Sequence, residues 1–154
     1  MAYEGTEVAV SKSQDSIRRL IYAHKGTGLM LVSKPPAEGF EAFIEIAQKP
    51  YHVRIMATCR EVSKRDPRSR WKERSASAHA AAVEQEERRV WRVLFWHLKG
   101  IFEAADSGVI DIRNIIMPYV VLRDGTTLSD HIMPRMDELM TMNPDRLLGK
   151  GLEQ

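Results

Sequence analysis

The stretch from Ser63 to Arg74 reads Ser-Lys-Arg-Asp-Pro-Arg-Ser-Arg-Trp-Lys-Glu-Arg, and its residue types point to one chemistry more directly than any other part of the chain. Lys64, Arg65, Arg68, Arg70, Lys72 and Arg74 supply cations, with Trp71 set among them. Lys and Arg attract phosphate without sequence preference, and an indole stacks on an unpaired base for about 1–3 kcal/mol. From Arg54 to Arg74 there are eight basic and three acidic residues, a surplus of five that exceeds the +2 of the whole chain. Arg54 and Arg60, on the expected exposed face of a strand beside His52, extend this charge from the loop onto a sheet. The expected nucleic-acid-binding set is therefore Arg54, Arg60, Lys64, Arg65, Arg68, Arg70, Trp71, Lys72 and Arg74. The competing readings are a solubilising charged loop, or a site for a protein or an anionic small molecule.

Other chemistries find little footing. The chain has no glycine-rich phosphate loop, no G-x-S-x-G, no H-E-x-x-H and no C-x-x-C. Its five histidines, His24, His52, His79, His97 and His131, share no motif. A hydrolase would need His97 and His131 to converge with carboxylates; satisfied or exposed histidines are the simpler expectation. Cys59 falls on an inward strand face and reads as a small hydrophobe. Asp106 and Asp111 flank Gly108 as capping residues do, and Asp124-Gly125-Thr126-Thr127 reads as a tight turn followed by a helix cap. No catalytic residue, metal or cofactor is expected.

The 154 residues suit one domain, with 44% hydrophobic and 29% charged residues, too apolar for a disordered chain. Charge is uneven, since residues 1–74 hold 14 basic and 9 acidic side chains and residues 75–154 hold 9 and 12. One cysteine allows no internal disulfide. The opening Met1-Ala-Tyr-Glu-Gly-Thr-Glu has neither the basic nor the apolar region of a secretory signal. No apolar run approaches the ~18 residues that cross a bilayer; the longest, Ile115–Leu122 and Val90–Phe95, are interrupted by Pro118 and Arg92. A cytoplasmic protein with no membrane contact is expected. Eight methionines scatter as core fillers would.

The elements that must carry the basic segment follow from periodicity. A helix over residues 14–24 has Ile17, Leu20 and Ile21 at helical spacing, with Ser11 or Ser13 as its cap and Gly26 and Gly28 beyond its end. Three strands follow, at Leu29–Val32, Phe40–Ala47 and Tyr51–Glu61, with turns at Lys34-Pro35-Pro36 and Gln48-Lys49-Pro50. Period-2 alternation turns Phe40, Ala42, Ile44, Ile46, Tyr51, Val53, Ile55, Ala57 and Cys59 inward, leaving His52, Arg54, Met56, Thr58 and Arg60 outward. Residues 62–77 read as a mobile basic loop.

A long helix over 78–106 shows apolar residues at three- and four-residue steps. Ser75 or Ser77 is its cap, Gly108 its stop, and Gly100 marks close packing or a bend. Beyond it come a short helix at Asp111–Ile116, an extended run at Tyr119–Leu122 and a helix from Leu128 capped by Thr127. Pro134 kinks or restarts that helix, and 143–154 form a loose tail. The expected fold is α+β: a three-stranded antiparallel meander packed on one long helix. In domain terms this is one unit, with an α-β-β-β-α core over 14–106 and a small C-terminal helical part over 107–142.

Two resemblances attach to these residues. Arg89-Val-Trp-Arg-Val-Leu on the long helix and Tyr119-Val-Val-Leu-Arg-Asp-Gly-Thr-Thr-Leu resemble a group of small proteins of unassigned activity encoded by tailed phages and prophages. That resemblance covers most of the chain and implies a host-cell cytoplasmic setting. In topology alone, residues 14–106 are similar to the core of the Rad52-like single-strand annealing proteins. It implies side-by-side homo-oligomers holding single-stranded DNA in a positive groove of sheet and loops, with a role in recombination or replication and no cofactor. No residue-level motif is shared, and the acidic run Glu84-Gln85-Glu86-Glu87 departs from such a groove. The rival reading is a phage counter-defence or host-takeover protein that binds a nucleotide signal or a host protein.

Overall fold

A computed structural model describes residues 2–69 and 71–140; the expected tail at 143–154 and Arg70 lie outside the described residues. The chain runs α1 (Val10–Ala23), β1 (Thr27–Lys34), β2 (Ala37–Ile46), β3 (Lys49–Thr58), then α2 (Ala76–Asp106). Three short helices close it: α3 (Ile112–Ile116), α4 (Leu128–Ile132) and α5 (Met136–Met140). The sheet order β1-β2-β3 with antiparallel pairing is the expected meander, so the fold is α+β. None of the described helices is long and apolar enough to cross a membrane.

Both hairpins turn in two residues. Lys34 pairs with Ala37 across Pro35-Pro36, whose peptide bond is cis. Ile46 pairs with Lys49 across Ala47-Gln48, both at positive φ (49° and 62°), which is the type I′ geometry whose twist matches the flanking strands. The expected turn at Gln48-Lys49-Pro50 is therefore one residue early in the chain: Pro50 already lies in β3, opposite Glu45. A proline is tolerated there because it sits near the end of a strand at the sheet's margin. β2 also begins three residues earlier than expected, at Ala37. β1 extends back to Thr27 through a register shift at Gly28, where φ is +66°.

One face of the sheet carries the core. Phe40, Ala42 and Ile44 of β2 and Val53 and Ile55 of β3 are buried against Ile17 and Ile21 of α1 and Val90, Trp91, Leu94, Leu98, Ile101 and Phe102 of α2. Full burial of side chains such as Trp91, Phe40 and Phe102 contributes about 1.5–3 kcal/mol each. Gly39 is required by packing, because a Cβ there would overlap the Ile55 carbonyl oxygen and lie 2.6 Å from Met56 Sδ.

α1 lies parallel to α2. At one end the Gln85 amide donates to the carbonyls of Glu4 (3.1 Å) and Thr6 (3.0 Å). At the other, the His24 ring stacks on Phe102 and its Nε2 lies 2.9 Å from Asp106. α1 starts earlier than its expected cap: Ala9 is the N-cap residue, without a side-chain bond, and Ser13 sits inside the helix, fully buried. The apolar face of α1 continues to Val10 and draws the helix start back past both serines.

Its 31 residues make α2 about 46 Å long. Ser75 caps it by accepting from Ala78 N, and Gly108 follows its end at φ +70°. Gly100 opens onto empty space, so it does not mark close packing. Downstream, Val120 bridges Val53 and Val121 N donates to His52 O (2.8 Å), which sets the extended run beside β3. Thr127 and Asp130 form the capping box of α4, and Pro134 falls in a 3-10 turn (Met133–Arg135) after which α5 begins.

Candidate nucleic-acid interface

The residues expected to bind nucleic acid fall into three places. Arg54 is on the outward face of β3, as its alternation requires. There Nε donates to Glu41 Oε1 (2.6 Å) and a terminal nitrogen to the Gly125 carbonyl (2.9 Å). His52 Nε2 lies 2.7 Å from the other Glu41 oxygen, and Phe43 stacks on the His52 ring. Burial alone pushes the Glu41 carboxyl up, but the hydrogen bonds from Arg54 and His52 outweigh it and hold the group below its ordinary value. The outward charge of Arg54 is thus compensated within the sheet.

Arg60 is not on that face. β3 ends at Thr58, where Cys59 N donates to Pro36 O (2.7 Å), and the chain turns toward α2. Arg60 N donates to Glu86 Oε1 (2.8 Å), its guanidinium to Glu86 Oε2 (3.0 Å) and to Glu4 (3.1 Å). Arg89 donates to Glu86 from one helical turn further on, at 2.6 and 2.8 Å. With side-chain exposure of only 7%, Glu86 is the buried centre of this node. The Arg89 hydrogen bonds, aided by Arg60 and opposed by burial, hold its carboxyl down at about 2. The alternation that placed Arg60 beside Arg54 stops with the strand, so the two arginines do not share a surface.

The remaining residues form a finger. Residues 62–77 were expected as a loop; of their described part, 63–69 and 71–74 form a narrow hairpin and Ala76 and Ser77 open α2. Arg74 N donates to Lys64 O (2.7 Å), Asp66 N to Lys72 O (2.9 Å), and Arg65 bridges Glu73. The Arg74 guanidinium closes the base on Ser63 O (2.8 Å). Asp66 turns the tip by accepting from Arg68 N (2.8 Å), with Pro67 between them and Ser69 N bonded to Asp66 O (3.1 Å). Trp71 is 94% exposed at this tip. Among the described residues, Lys64, Arg65, Arg68 and Lys72 make no ion pair. The finger is thus a backbone-paired arm carrying cations that make no ion pair among the described residues, and an indole in water.

The histidines do not converge. His97 Nε2 lies 2.8 Å from the Tyr119 hydroxyl, and burial lowers its tendency to protonate. His131 Nε2 meets Thr126 Oγ1 (2.8 Å) and Asp124 Oδ2 (3.1 Å) on the surface. Both contacts use the same ring nitrogen, whereas the hydroxyl and carboxylate of a Ser-His-Asp arrangement sit on opposite nitrogens, so Thr126, His131 and Asp124 do not form one. Among the described residues no group of three His, Cys, Asp or Glu side chains is placed to hold a metal ion. Asp111 caps α3 and is paired with Arg113, which brings its carboxyl to about 2.

Missing from the sequence reading was an aromatic–cation ridge on α2. Trp96 lies under Arg92 (5.2 Å) and Lys99 (4.7 Å) and stacks with Tyr3. The four- and three-residue steps from Arg92 to Trp96 to Lys99 were visible in the sequence; the Tyr3 strap was not. Comparison with protein-family models, with curated proteins and with solved structures finds no match to this chain.

Proposed function

We propose that the chain binds single-stranded nucleic acid, with single-stranded DNA as the partner, through the finger. The observation that carries this reading is Trp71, 94% exposed on a hydrogen-bonded hairpin among four cations that make no ion pair among the described residues. An indole in water costs solubility and gains nothing for the fold, whereas it stacks on any unpaired base. Lys64, Arg65, Arg68 and Lys72 neutralise phosphates on either side of the stacked base. Arg54 and Arg60 are held by Glu41 and by Glu86 with Glu4, so the strand follows the finger and not the sheet face. Base edges stay free to pair, which suits annealing in recombination or replication when several copies assemble along one strand.

The test is binding of a labelled ~40-nucleotide single strand across a salt series. Four neutralised phosphates give a log–log slope of about −3. Trp71→Ala weakens binding by about 1–3 kcal/mol without lowering Tm, and exchanging the four cations for Gln removes it. Arg54→Ala leaves it unchanged. Absence of binding at low salt, or a Trp71→Ala protein that binds as wild type, refutes the proposal.

A further inference from the structure

The tip of the β1–β2 hairpin, the segment leaving β3 and the first half of α2 enclose a cleft of about 420 Å3, within the size range of small-molecule sites. Its walls include Pro35, Pro36, Val62 and Val83, which are apolar. Its charged lining is acidic apart from Arg60, which is engaged by Glu86 and Glu4.

Glu38 is the unusual member. It is 8% exposed, lies on the inward face of β2, and lines the cleft. Its cross-strand neighbours are Ser33 and Ala57, neither of them a cation. The Ser33 hydroxyl donates to Oε1 at 2.6 Å; among the described residues Oε2 has no protein partner and is open to solvent, and no basic side chain pairs with the carboxylate. A carboxylate confined beside apolar walls, with one oxygen open and no basic neighbour, attracts a cation more strongly than one in open water. Glu61 and Glu87 add negative charge at the rim, and among the described residues neither makes an ion pair. The field reaches the wall: burial first, then Glu38, Glu86 and Glu87, push the Cys59 thiol up.

We propose that this cleft binds a free aliphatic polyamine, one ammonium head on Glu38 and the methylene stem against the proline and valine walls. The ammonium supplies the counter-charge that the strand neighbours of Glu38 lack. The carboxylates of Glu61 and Glu87 take a second ammonium at the mouth. This site adjoins the base of the finger, where Glu61 also neighbours Lys64 and Arg65, but it does not depend on the nucleic-acid reading.

The test is an NMR titration of the full chain with spermidine in 150 mM salt, followed at the amides of Glu38, Cys59 and Val62. One saturable site with submillimolar Kd is expected, with 1,4-butanediol failing to bind. Glu38→Gln weakens spermidine at least tenfold, and the distant surface variant Glu45→Gln leaves it unchanged. Val83→Lys, on the accessible side of α2, places an ammonium of its own in the cleft and blocks spermidine without altering the core. Trp71→Ala retains the amine site, which separates failure here from failure of the finger. Equal affinity in Glu38→Gln, equal losses in Glu38→Gln and Glu45→Gln, or tighter binding of acetyl-Gly-Lys-Gly-amide than of spermidine overturns the proposal.

Discussion

The Arg60–Glu86–Arg89 node joins the end of the sheet to the middle of α2, and its worth can be worked out. Removal of the Glu86 charge by Glu86→Gln leaves Arg89, at 16% side-chain exposure, without its counter-ion. Lowering the carboxyl from an ordinary 4.5 to about 2 corresponds to about 3 kcal/mol of folding free energy at neutral pH. Loss of one partner from a buried pair costs about 3–5 kcal/mol. Arg60 is 45% exposed and regains water, so the lower figure applies. For a chain of this length that is a Tm drop of about 6–12 °C.

The sign of the pH dependence follows. A depressed carboxylate stabilises the fold fully above its unfolded value and loses that contribution as pH falls toward the folded one. The gap between wild type and Glu86→Gln in urea unfolding is therefore about 3 kcal/mol at pH 7, falls to roughly half by pH 3 and closes near pH 2. A gap below about 0.5 kcal/mol at pH 7, or one that stays constant down to pH 3, refutes the assignment of Glu86 as a buried, ionised centre.

Three further outcomes rest on local geometry. Ser13 Oγ is buried with no hydrogen-bond partner among the described residues, so Ser13→Ala raises stability by about 1 kcal/mol in urea unfolding. Gly39→Ala forces a Cβ into the Ile55 carbonyl oxygen and lowers stability by at least about 3 kcal/mol, seen as loss of the cooperative thermal transition or a large Tm drop. Replacing Ala47-Gln48 by Asn-Gly supplies residues that accept positive φ and raises Tm by about 2–4 °C in a thermal scan.

What could be read from the sequence was whatever periodicity or local capping determines. The spacing from Val90 to Phe102 revealed α2, Ser75 and Thr127 were identifiable caps, and the alternation from Tyr51 to Ala57 gave β3 its faces. Ser13 misled because a cap serine and a buried serine look alike until the start of the helix is known. The Arg54 partner, Glu41, is thirteen residues away and adjacent only through the β2–β3 register. The turn of Arg60 toward Glu86 depends on where β3 stops, which is set by its partner β2 beginning at Ala37, just after the Pro35-Pro36 turn. Within the finger, composition identified the charge and the exposed tryptophan. The pairing that holds the arm, Lys64 with Arg74 and Asp66 with Lys72, uses backbone groups that every residue possesses and so left no mark in side-chain type.

The parallel seam between α1 and α2 has a kinetic consequence. The two hairpins join residues close in sequence through two-residue turns, and such hairpins form within microseconds. The His24–Asp106 contact closes a chain segment of 82 residues, and the Gln85–Thr6 contact one of 79. Closing those loops carries a larger entropy cost that is recovered only when the core between them is in place. The meander is then the natural nucleus and the helix seam the last part to lock, so weakening His24 or Gln85 accelerates unfolding and hardly changes the folding rate. The fold is guarded at the two ends of one helix pair, and the Gln85 end borders the base of the arm at Ser63 and Arg74.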